Sequence, residues 1–305
     1  MKSTLQAKLD AGQFCITAEV TPPVSASRDE LLAKALPLEG LADAVNITDG
    51  AGARPHLGAV TSAAILVEAG IEPVLQFTCR DRNRIALQSD LLSAAACGVK
   101  NLLMLRGDDP SAGDQPDAKP VFDLDPRQLM ETARRLRDAG ELPTGKKVTG
   151  RADFYLGGAD NPIDPPAGWQ PKGLNAKLEA GAQFVQTQFC MDADVVRRYL
   201  ARLEESGLAS QLKFLIGVVP LRSATSARWI KEKLFGTVIP DAMIARMEAA
   251  SDPAAEGRAI CIELVRELSD VPHVAGVHIM APGNDSAVPD IIKAARGSIT
   301  RLAPA

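Results

Sequence analysis

The sequence contains few of the residues that build metal centres. Its three histidines, His56, His273 and His278, are too few and too dispersed to predict a zinc site. Five cysteines are scattered without Cys-x-x-Cys spacing, and three of them fall in predicted strands, where reduced and buried thiols are expected. They are Cys15, Cys79, Cys97, Cys190 and Cys261. No metal site is predicted.

Long apolar runs and basic runs are also missing. No run of about 20 apolar residues is present and no secretory signal opens the chain, so neither a membrane span nor export is expected. The net charge is −4, which argues against binding to nucleic acid or to a membrane surface. With 305 residues, 46% of them apolar, the chain can bury one large core. We therefore expect a cytoplasmic enzyme with a single domain over residues 1–305.

Eight short apolar, β-branched runs recur along the chain and helical segments separate them. The predicted strands are Cys15–Thr21, Ala44–Asp49, Glu72–Cys79, Asn101–Gly107, Arg151–Gly158, Phe184–Cys190, Lys213–Pro220 and Val274–Pro282. The first four begin about 29 residues apart, which is the length of one strand-and-helix unit. Eight such units predict an α/β fold, a (β/α)8 TIM barrel, which places its chemistry at the carboxyl ends of the strands.

The joints between the predicted elements support a barrel. Six helices are expected to end at a glycine just before the next strand, because a helix often ends in the left-handed conformation. These glycines are Gly40, Gly70, Gly98, Gly140, Gly181 and Gly207. The competing fold, a doubly wound open sheet, needs a glycine-rich loop after its first strand, and here Thr-Pro-Pro-Val follows instead. The long interval between strands 7 and 8 predicts one extra helix.

Polar side chains stand where several predicted strands end. Glu19 lies within strand 1, Arg106 and Asp108 end strand 4, and Gln188 ends strand 6. A carboxylate inside a strand is costly to bury unless it is paired or used. Each side chain also has an ordinary structural interpretation: Glu19 in a polar layer of the barrel, Arg106 with Asp108 as an ion pair, and Gln188 as a buried amide. For His273 and His278, which lie near strand 8, a structural role and a ligand contact are equally expected.

The order of these groups along the chain is more informative than any one of them. The segments are Glu19-x-x-Pro22-Pro23, Thr48-x-Gly50, Thr78-Cys79, Leu105-Arg106-Gly107-Asp108, Asn161-Pro162, Lys177-x-x-Ala180-Gly181-Ala182 and Thr187-Gln188-Phe189. Together they resemble the catalytic domain of the methylenetetrahydrofolate reductase family over nearly the whole chain. The resemblance implies a flavin, usually FAD, and reduction of 5,10-methylenetetrahydrofolate to 5-methyltetrahydrofolate with NADH or NADPH. It also implies the short bacterial form, without a regulatory domain.

The resemblance assigns roles to individual residues. Glu19 matches the general acid that helps to open the five-membered ring of the folate and so produces an iminium that accepts hydride. Asp108 matches an acid beside the flavin and the pterin, where an ionised carboxylate would stabilise the cationic iminium. Gln188 matches the amide that orients the folate. The flavin contacts implied in the same way are Thr48, Asp49, Ala51, Gln76, Arg106, Gly107, Asp108, Asn161 and Lys177. Phe122, in the long loop that follows strand 4, is a further predicted contact of the cofactor.

Some positions depart from the better-known bacterial pattern. Gln76 stands where a flavin-contacting histidine is common, Asp49 replaces a tyrosine, and Ala224 appears where a stacking aromatic is expected. Phe77 and Phe189 are candidates to replace that aromatic ring. These changes admit a flavin-independent version of the same reductase, with direct transfer from the nicotinamide.

A second alternative is a folate-binding methyltransferase or accessory barrel without redox activity. An aldolase is less favoured, because no lysine lies within a central strand to form a Schiff base. The expected partners are a small-molecule folate and a nicotinamide nucleotide, with no nucleic acid and no membrane. A homo-oligomer is also expected, because the outer helices of a barrel can associate.

Overall fold

Eight parallel strands close into a barrel, in the order of the chain, in a computed structural model that describes residues 2–297 and 299. The strands are β1 Cys15–Val20, β2 Ala44–Ile47, β3 Pro73–Thr78, β4 Asn101–Leu105, β5 Tyr155–Asp160, β6 Phe184–Phe189, β7 Lys213–Val218 and β8 Val274–Ile279. Strand β1 pairs with both β2 and β8, so the sheet has no free edge. The predicted (β/α)8 TIM barrel is confirmed.

The fifth strand differs most from the prediction over Arg151–Gly158. It begins at Tyr155, where the backbone N–H donates to Lys100 O at 2.7 Å and starts the ladder with β4. Before that point Arg151 and Asp153 form an ion pair with each other at 2.8 Å, outside the sheet. The strand ends at Asp160, so the Asp160 carboxylate lies at its carboxyl end.

Helices occupy the intervals between the strands. They are α1 Thr4–Asp10, α2 Arg28–Ala35, α3 Ala59–Glu68, α4 Arg84–Ala96, α5 Pro126–Ala139, α6 Lys172–Ala180, α7 Ala193–Glu205, α8 Ala224–Lys233, α9 Asp241–Ala249, α10 Pro253–Ser269 and α11 Val288–Arg296. The six glycines predicted at helix ends all have positive φ, between 63° and 113°. The interval between β7 and β8 holds three helices, α8 to α10, so the prediction of one extra helix was one short. Within residues 2–297 and 299, every helix is too short or too polar to cross a membrane.

The barrel interior is apolar at its amino-terminal end. One side chain from each of seven strands forms a layer there, and Leu5 and Leu9 of α1 pack against it. The layer consists of Cys15, Ala44, Val74, Leu103, Tyr155, Phe184 and Leu215. Glu72 fixes α1 in place, because its carboxylate accepts hydrogen bonds from Thr4 N at 2.7 Å and Leu5 N at 2.8 Å. The barrel interior is therefore closed at this end by the first helix.

Candidate active site

A layer of polar side chains lies in the barrel interior on the carboxyl side of the apolar layer. Gln186 and Asn46 exchange two amide hydrogen bonds, at 2.6 and 3.0 Å. Gln186 Nε2 also donates to Thr17 Oγ1 at 3.1 Å, and Thr17 Oγ1 lies 3.0 Å from His278 Nδ1. All four residues are buried. Because every one of these amides and hydroxyls has a partner, the polar layer is compatible with a closed barrel core.

Glu19 stands at the edge of this polar layer, nearer the open end. Its Oε2 accepts a hydrogen bond from Gln76 Nε2 at 2.7 Å and lies 3.7 Å from His278 Nε2. The Glu19 side chain is 21% exposed, whereas that of His278 is 3% exposed. Glu19 thus adjoins the polar layer, and its carboxyl group is also partly exposed at the mouth.

Asp108 is held at the same end by two loops. Its carboxylate accepts a hydrogen bond from Gly52 N at 2.8 Å, in the loop after β2. Gly107, directly before it, has φ +91°, and a Cβ there would lie 2.9 Å from Arg80 Cβ. Only glycine fits this position, because the backbone is in the left-handed region and Arg80 occupies the space that a Cβ would need. The predicted ion pair between Arg106 and Asp108 does not occur among the described contacts.

Arg80 connects the loops that follow β2 and β4, and the sequence reading missed it. The guanidinium donates to Gly50 O at 3.1 Å and to Asp108 O at 3.3 Å, and it is anchored by the Asp81 carboxylate at 2.8 Å. Arg80 is only 4% exposed. The signal in the sequence was a charged residue just after a buried strand. Its partners could not be predicted, because Asp108 and Gly50 lie 28 and 30 residues away.

Arg106 and Phe122, both predicted flavin contacts, lie together on the surface of the mouth. The Arg106 guanidinium carbon stands 4.2 Å from the centre of the Phe122 ring, a cation–π contact. The loop that carries Phe122 is tied down by Val121 N, which donates to Arg80 O at 2.7 Å. It is further held by Asp123, whose pKa falls to about 2 because Arg84 donates hydrogen bonds to it. The pair therefore has a defined position at the end of β4.

The predicted contacts on β2 and β3 divide into two kinds. Thr48 Oγ1 is buried and has no hydrogen-bond partner in the protein. Asp49, in contrast, accepts from Thr78 N and Thr78 Oγ1, each at 2.9 Å, and forms an ion pair with Arg82. Gln76 is similarly engaged with Glu19. Ala51 is half-buried in a short 3-10 helix beyond β2. The Thr48 hydroxyl is therefore buried and unpartnered, whereas the Asp49 side chain serves the loop.

Lys177 and Asn161 lie at the carboxyl end of β5. Lys177 Nζ is 3.2 Å from Asp160 Oδ1, and the hydroxyl of Tyr199 donates to the other oxygen of that carboxylate. Burial, together with the Asp160 charge, raises the pKa of Tyr199, so its hydroxyl stays protonated. Asn161 packs on the segment after α8, because a Cβ on Gly236 would lie 2.6 Å from Asn161 Nδ2. The predicted residues are thus together, although Lys177 already has an acidic partner.

Gln188 is positioned by an irregularity in β6. The pairing of β6 with β7 shifts between Gln186 and Phe189, and Gly217 N donates to Thr187 Oγ1 at 2.8 Å instead of continuing the ladder. A Cβ on Gly217 would overlap the carbonyl oxygens of Thr187 and Gln188. Such bulges redirect a side chain, and here Gln188 is half-buried at the mouth. Gly217 is a second residue that the sequence reading did not single out.

The prediction that Phe77 or Phe189 replaces the missing stacking aromatic is wrong. Phe77 and Phe189 are 0% and 3% exposed, and both pack in the core between the barrel and its helices. Their places on β3 and β6 alternate with interior residues, so the rings point outward from the barrel. Large exposed aromatic side chains occur instead at Trp229 and Phe235, in and just after α8.

The residues at the mouth fit an anionic cofactor in part. The unpartnered Thr48 hydroxyl, the guanidinium of Arg106 and the ammonium of Lys177 are groups that bind phosphate and flavin oxygens. Asp49 and Gln76 are engaged inside the protein and are not available without rearrangement, and Lys177 is shared with Asp160. Across the described part of the chain, no cluster of three or more His, Cys, Asp or Glu is placed to hold a metal ion.

The sequence is similar to known proteins over most of its length. A family model described as methylenetetrahydrofolate reductase matches residues 4–296. "Probable methylenetetrahydrofolate reductase (NADPH)" of Caenorhabditis elegans is 26% identical over 240 residues, which cover 76% of this chain and 33% of that protein. "Methylenetetrahydrofolate reductase 2" of Schizosaccharomyces pombe is 23% identical over 236 residues, 73% of this chain and 35% of that protein. The chain spans about a third of the length of these curated relatives.

Solved structures share the fold at low sequence identity. An uncharacterized protein from Clostridium thermocellum, described as binding two copies of 5-methyl-5,6,7,8-tetrahydrofolic acid, superimposes with a TM-score of 0.63 at 13% identity, covering 96% of this chain and 98% of that one. EDTA monooxygenase from Chelativorans sp. BNC1 gives a TM-score of 0.57 at 12% identity and 95% coverage of both chains. These likenesses support the barrel. The match of the family model over residues 4–296 shows that the chain belongs to the methylenetetrahydrofolate reductase family.

Proposed function

We propose that this protein reduces 5,10-methylenetetrahydrofolate to 5-methyltetrahydrofolate with NADH or NADPH, and that the barrel is the catalytic unit. The observation that carries the proposal is the position of Glu19. Its carboxyl group is partly exposed at the open end of the barrel and is oriented by Gln76 at 2.7 Å. An oriented carboxyl group at a ligand-accessible mouth is what general acid catalysis requires.

Glu19 would give its proton to the ring nitrogen of the folate that leaves when the five-membered ring opens. The bond between this nitrogen and the one-carbon unit breaks, and a cationic iminium remains to accept hydride. Asp108 would stabilise that cation electrostatically, since its carboxylate is accessible and is held by Gly52 N. Gln188 would orient the pterin through its amide nitrogen, since its Oε1 accepts a hydrogen bond from Phe189 N at 3.1 Å.

A flavin, when bound, would supply a two-electron carrier between nicotinamide and folate. Thr48, Arg106 and Lys177 would hold it, Thr48 through its unpartnered hydroxyl and the two cations through the pyrophosphate. Phe122 and Asn161 would form its walls, together with the backbone around Ala51 and Gly107.

The flavin-independent reductase is the second candidate, and two contacts favour it. Asp49 is held by Thr78 and Arg82, and Gln76 is held by Glu19, so neither side chain is free for a flavin. In this version the folate and the nicotinamide would occupy the mouth together, and Glu19 and Asp108 would keep the same tasks.

The experiment combines a visible spectrum with an assay. Protein purified without added cofactor is examined near 450 nm and is then mixed with methylenetetrahydrofolate and either NADH or NADPH. Yellow protein that oxidises the nucleotide supports the flavoenzyme, and colourless protein that does so supports direct transfer. A failure to oxidise either nucleotide, with and without added FAD, would refute the reductase and leave a folate-binding barrel without redox activity.

A further inference from the structure

His278 is the buried ionisable group beside Glu19 that the proposed reaction does not yet use. It lies on β8 between Thr17 of β1 and Gly217 of β7, and it is 2% exposed. Its Nδ1 faces Thr17 Oγ1 at 3.0 Å and its Nε2 faces Glu19 Oε2 at 3.7 Å. The imidazole therefore connects the polar layer with the carboxyl group at the mouth.

The hydrogen bonds of the polar layer are compatible with a proton on His278 Nδ1. Gln186 Nε2 donates to Thr17 Oγ1 at 3.1 Å, and the Thr17 hydroxyl can donate to Val277 O at 3.4 Å. With its own proton used in this way, the hydroxyl accepts from His278 Nδ1–H. The Nε2 atom then turns a lone pair toward Glu19, or carries the second proton of an imidazolium.

Among the described residues, the hydrogen-bond partners of the pair are uncharged. Thr17, Asn46, Gln76 and Gln186 face it from β1, β2, β3 and β6, and Gly217 faces it from β7. In the part of the chain that the structure describes, the ion-pair contact of His278 is with Glu19 alone, and the reverse also holds. A lone charge in such a place is costly, whereas a proton held between the two groups leaves the pair without net charge.

We propose that His278 is a positioning residue that holds one proton jointly with Glu19. The proton lies either on Glu19 Oε2, with Nε2 as acceptor, or on Nε2, with the carboxylate as acceptor. When Glu19 gives the proton to the leaving nitrogen of the folate, the pair is left as carboxylate and neutral imidazole. It regains a proton from solvent through Glu19, because the histidine itself is buried. The separation of 3.7 Å requires a small approach of the two side chains during the transfer.

This inference rests on the proposed role of Glu19, so its main test does not use activity. With three histidines in the chain, histidine labelled with ¹⁵N gives few NMR signals, and His278→Gln identifies the one that matters. We expect the His278 Nε2 signal and the Glu19 carboxyl ¹³C signal to change over the same pH range, as coupled groups do. Glu19→Gln should move the histidine transition to lower pH, because the imidazolium loses its counter-charge. A His278 transition that is identical in both proteins would overturn the proposal.

Activity supplies the second measurement. His278→Gln retains a donor toward Glu19 but cannot take up a proton, so kcat for folate reduction should fall about 10-fold or more and its pH profile should change, with KM nearly constant. The matched control is His273→Asn. His273 lies just before β8, is paired with Glu204 at 3.0 Å and has φ +65°, a conformation that asparagine tolerates.

The two measurements separate the two proposals. An unchanged pH profile in a folded His278→Gln protein would contradict the role of the histidine, and thermal unfolding verifies the folding. Wild-type protein without any folate reduction would refute the proposed function, while the coupling of the two NMR signals would still decide whether the proton is shared.

Discussion

The two ends of the barrel are built from the same eight strands and have opposite chemistry. At the amino-terminal end, seven side chains with Leu5 and Leu9 form an apolar layer under α1. At the carboxyl-terminal end, Thr17, Asn46 and Gln186 form a hydrogen-bonded layer, and Glu19 stands above it. The comparison shows that the barrel separates an apolar end from a polar end along its axis, as expected for this fold.

The two ends can also be compared by the partners of their polar and charged groups. A cavity of about 310 Å³ lies at the amino-terminal end, and Asp43 in its wall is buried. That carboxylate is fully occupied by Lys8 Nζ at 2.6 Å, Arg296 at 2.7 Å and Ile16 N at 2.7 Å. Unpartnered buried polar atoms occur at both ends, the Thr48 hydroxyl near the mouth and the Tyr155 hydroxyl in the apolar layer. Neither open space nor an unmatched polar atom therefore identifies the site by itself.

The largest effect is expected from Glu19→Gln. Folate reduction should fall by about 10²- to 10⁴-fold, because the amide cannot donate the catalytic proton. In protein that carries flavin, reduction of the flavin by the nucleotide should stay near normal, as stopped-flow absorbance would show. Glu72→Gln is the control at the opposite end: it weakens the anchor of α1 and should lower Tm while leaving kcat unchanged. Equal loss in both half-reactions of Glu19→Gln would refute the general-acid role.

The next effect concerns stability at the amino-terminal end. Leu9 is 1% exposed in the apolar layer, and Leu9→Ala should lower the free energy of unfolding by about 2 to 5 kcal/mol, because it leaves a cavity. Urea denaturation measures this change. Leu36→Ala is the matched control, since Leu36 is 46% exposed and the same substitution there should cost less than about 0.5 kcal/mol. A similar loss of unfolding free energy in both variants would contradict the contribution of the apolar layer to stability.

A smaller effect should follow from the backbone near Gln188. Gly217→Ala places a methyl group against the carbonyl oxygens of Thr187 and Gln188, so we expect a loss of about 1 to 3 kcal/mol and a higher KM for folate. Gly173→Ala in α6 is the control, because no atom lies within 4 Å of its Cβ position and alanine favours a helix. A normal KM in a folded Gly217→Ala protein would show that the bulge does not position Gln188.

The smallest effect is a pattern of thiol reactivity. Burial raises the pKa of Cys79, Cys190 and Cys261 to about 12, so these thiols stay protonated well above neutral pH. Cys97 is the exposed cysteine. One equivalent of a thiol reagent should therefore react rapidly in the native protein, and Cys97→Ser should abolish that phase. Raising the pH from 7 to about 9 should leave the buried thiols unreactive. Rapid reaction of several thiols would show that the barrel opens.

The sequence supplied the eight strands because their pattern is local. Seven of the eight began within one residue of the prediction, and the exception, β5, begins where pairing with β4 becomes possible rather than where an apolar run begins. The site residues at the strand ends also followed from strand order, since a parallel barrel brings all carboxyl ends together. Arg80, Gly217 and the coupling of His278 to Glu19 did not follow, because their partners are distant in sequence.

The amino-acid sequence by itself determined the barrel, the end at which polar groups gather and the family to which the chain belongs. Periodic burial, helix-ending glycines and the order of polar residues are properties of short segments. They can be recognised in the sequence without knowing any interatomic distance. Only the tertiary structure decided which of those polar groups are satisfied. Asp49 and Gln76 are engaged, whereas the Thr48 hydroxyl is not, because hydrogen bonding depends on atoms that the fold brings together across the barrel.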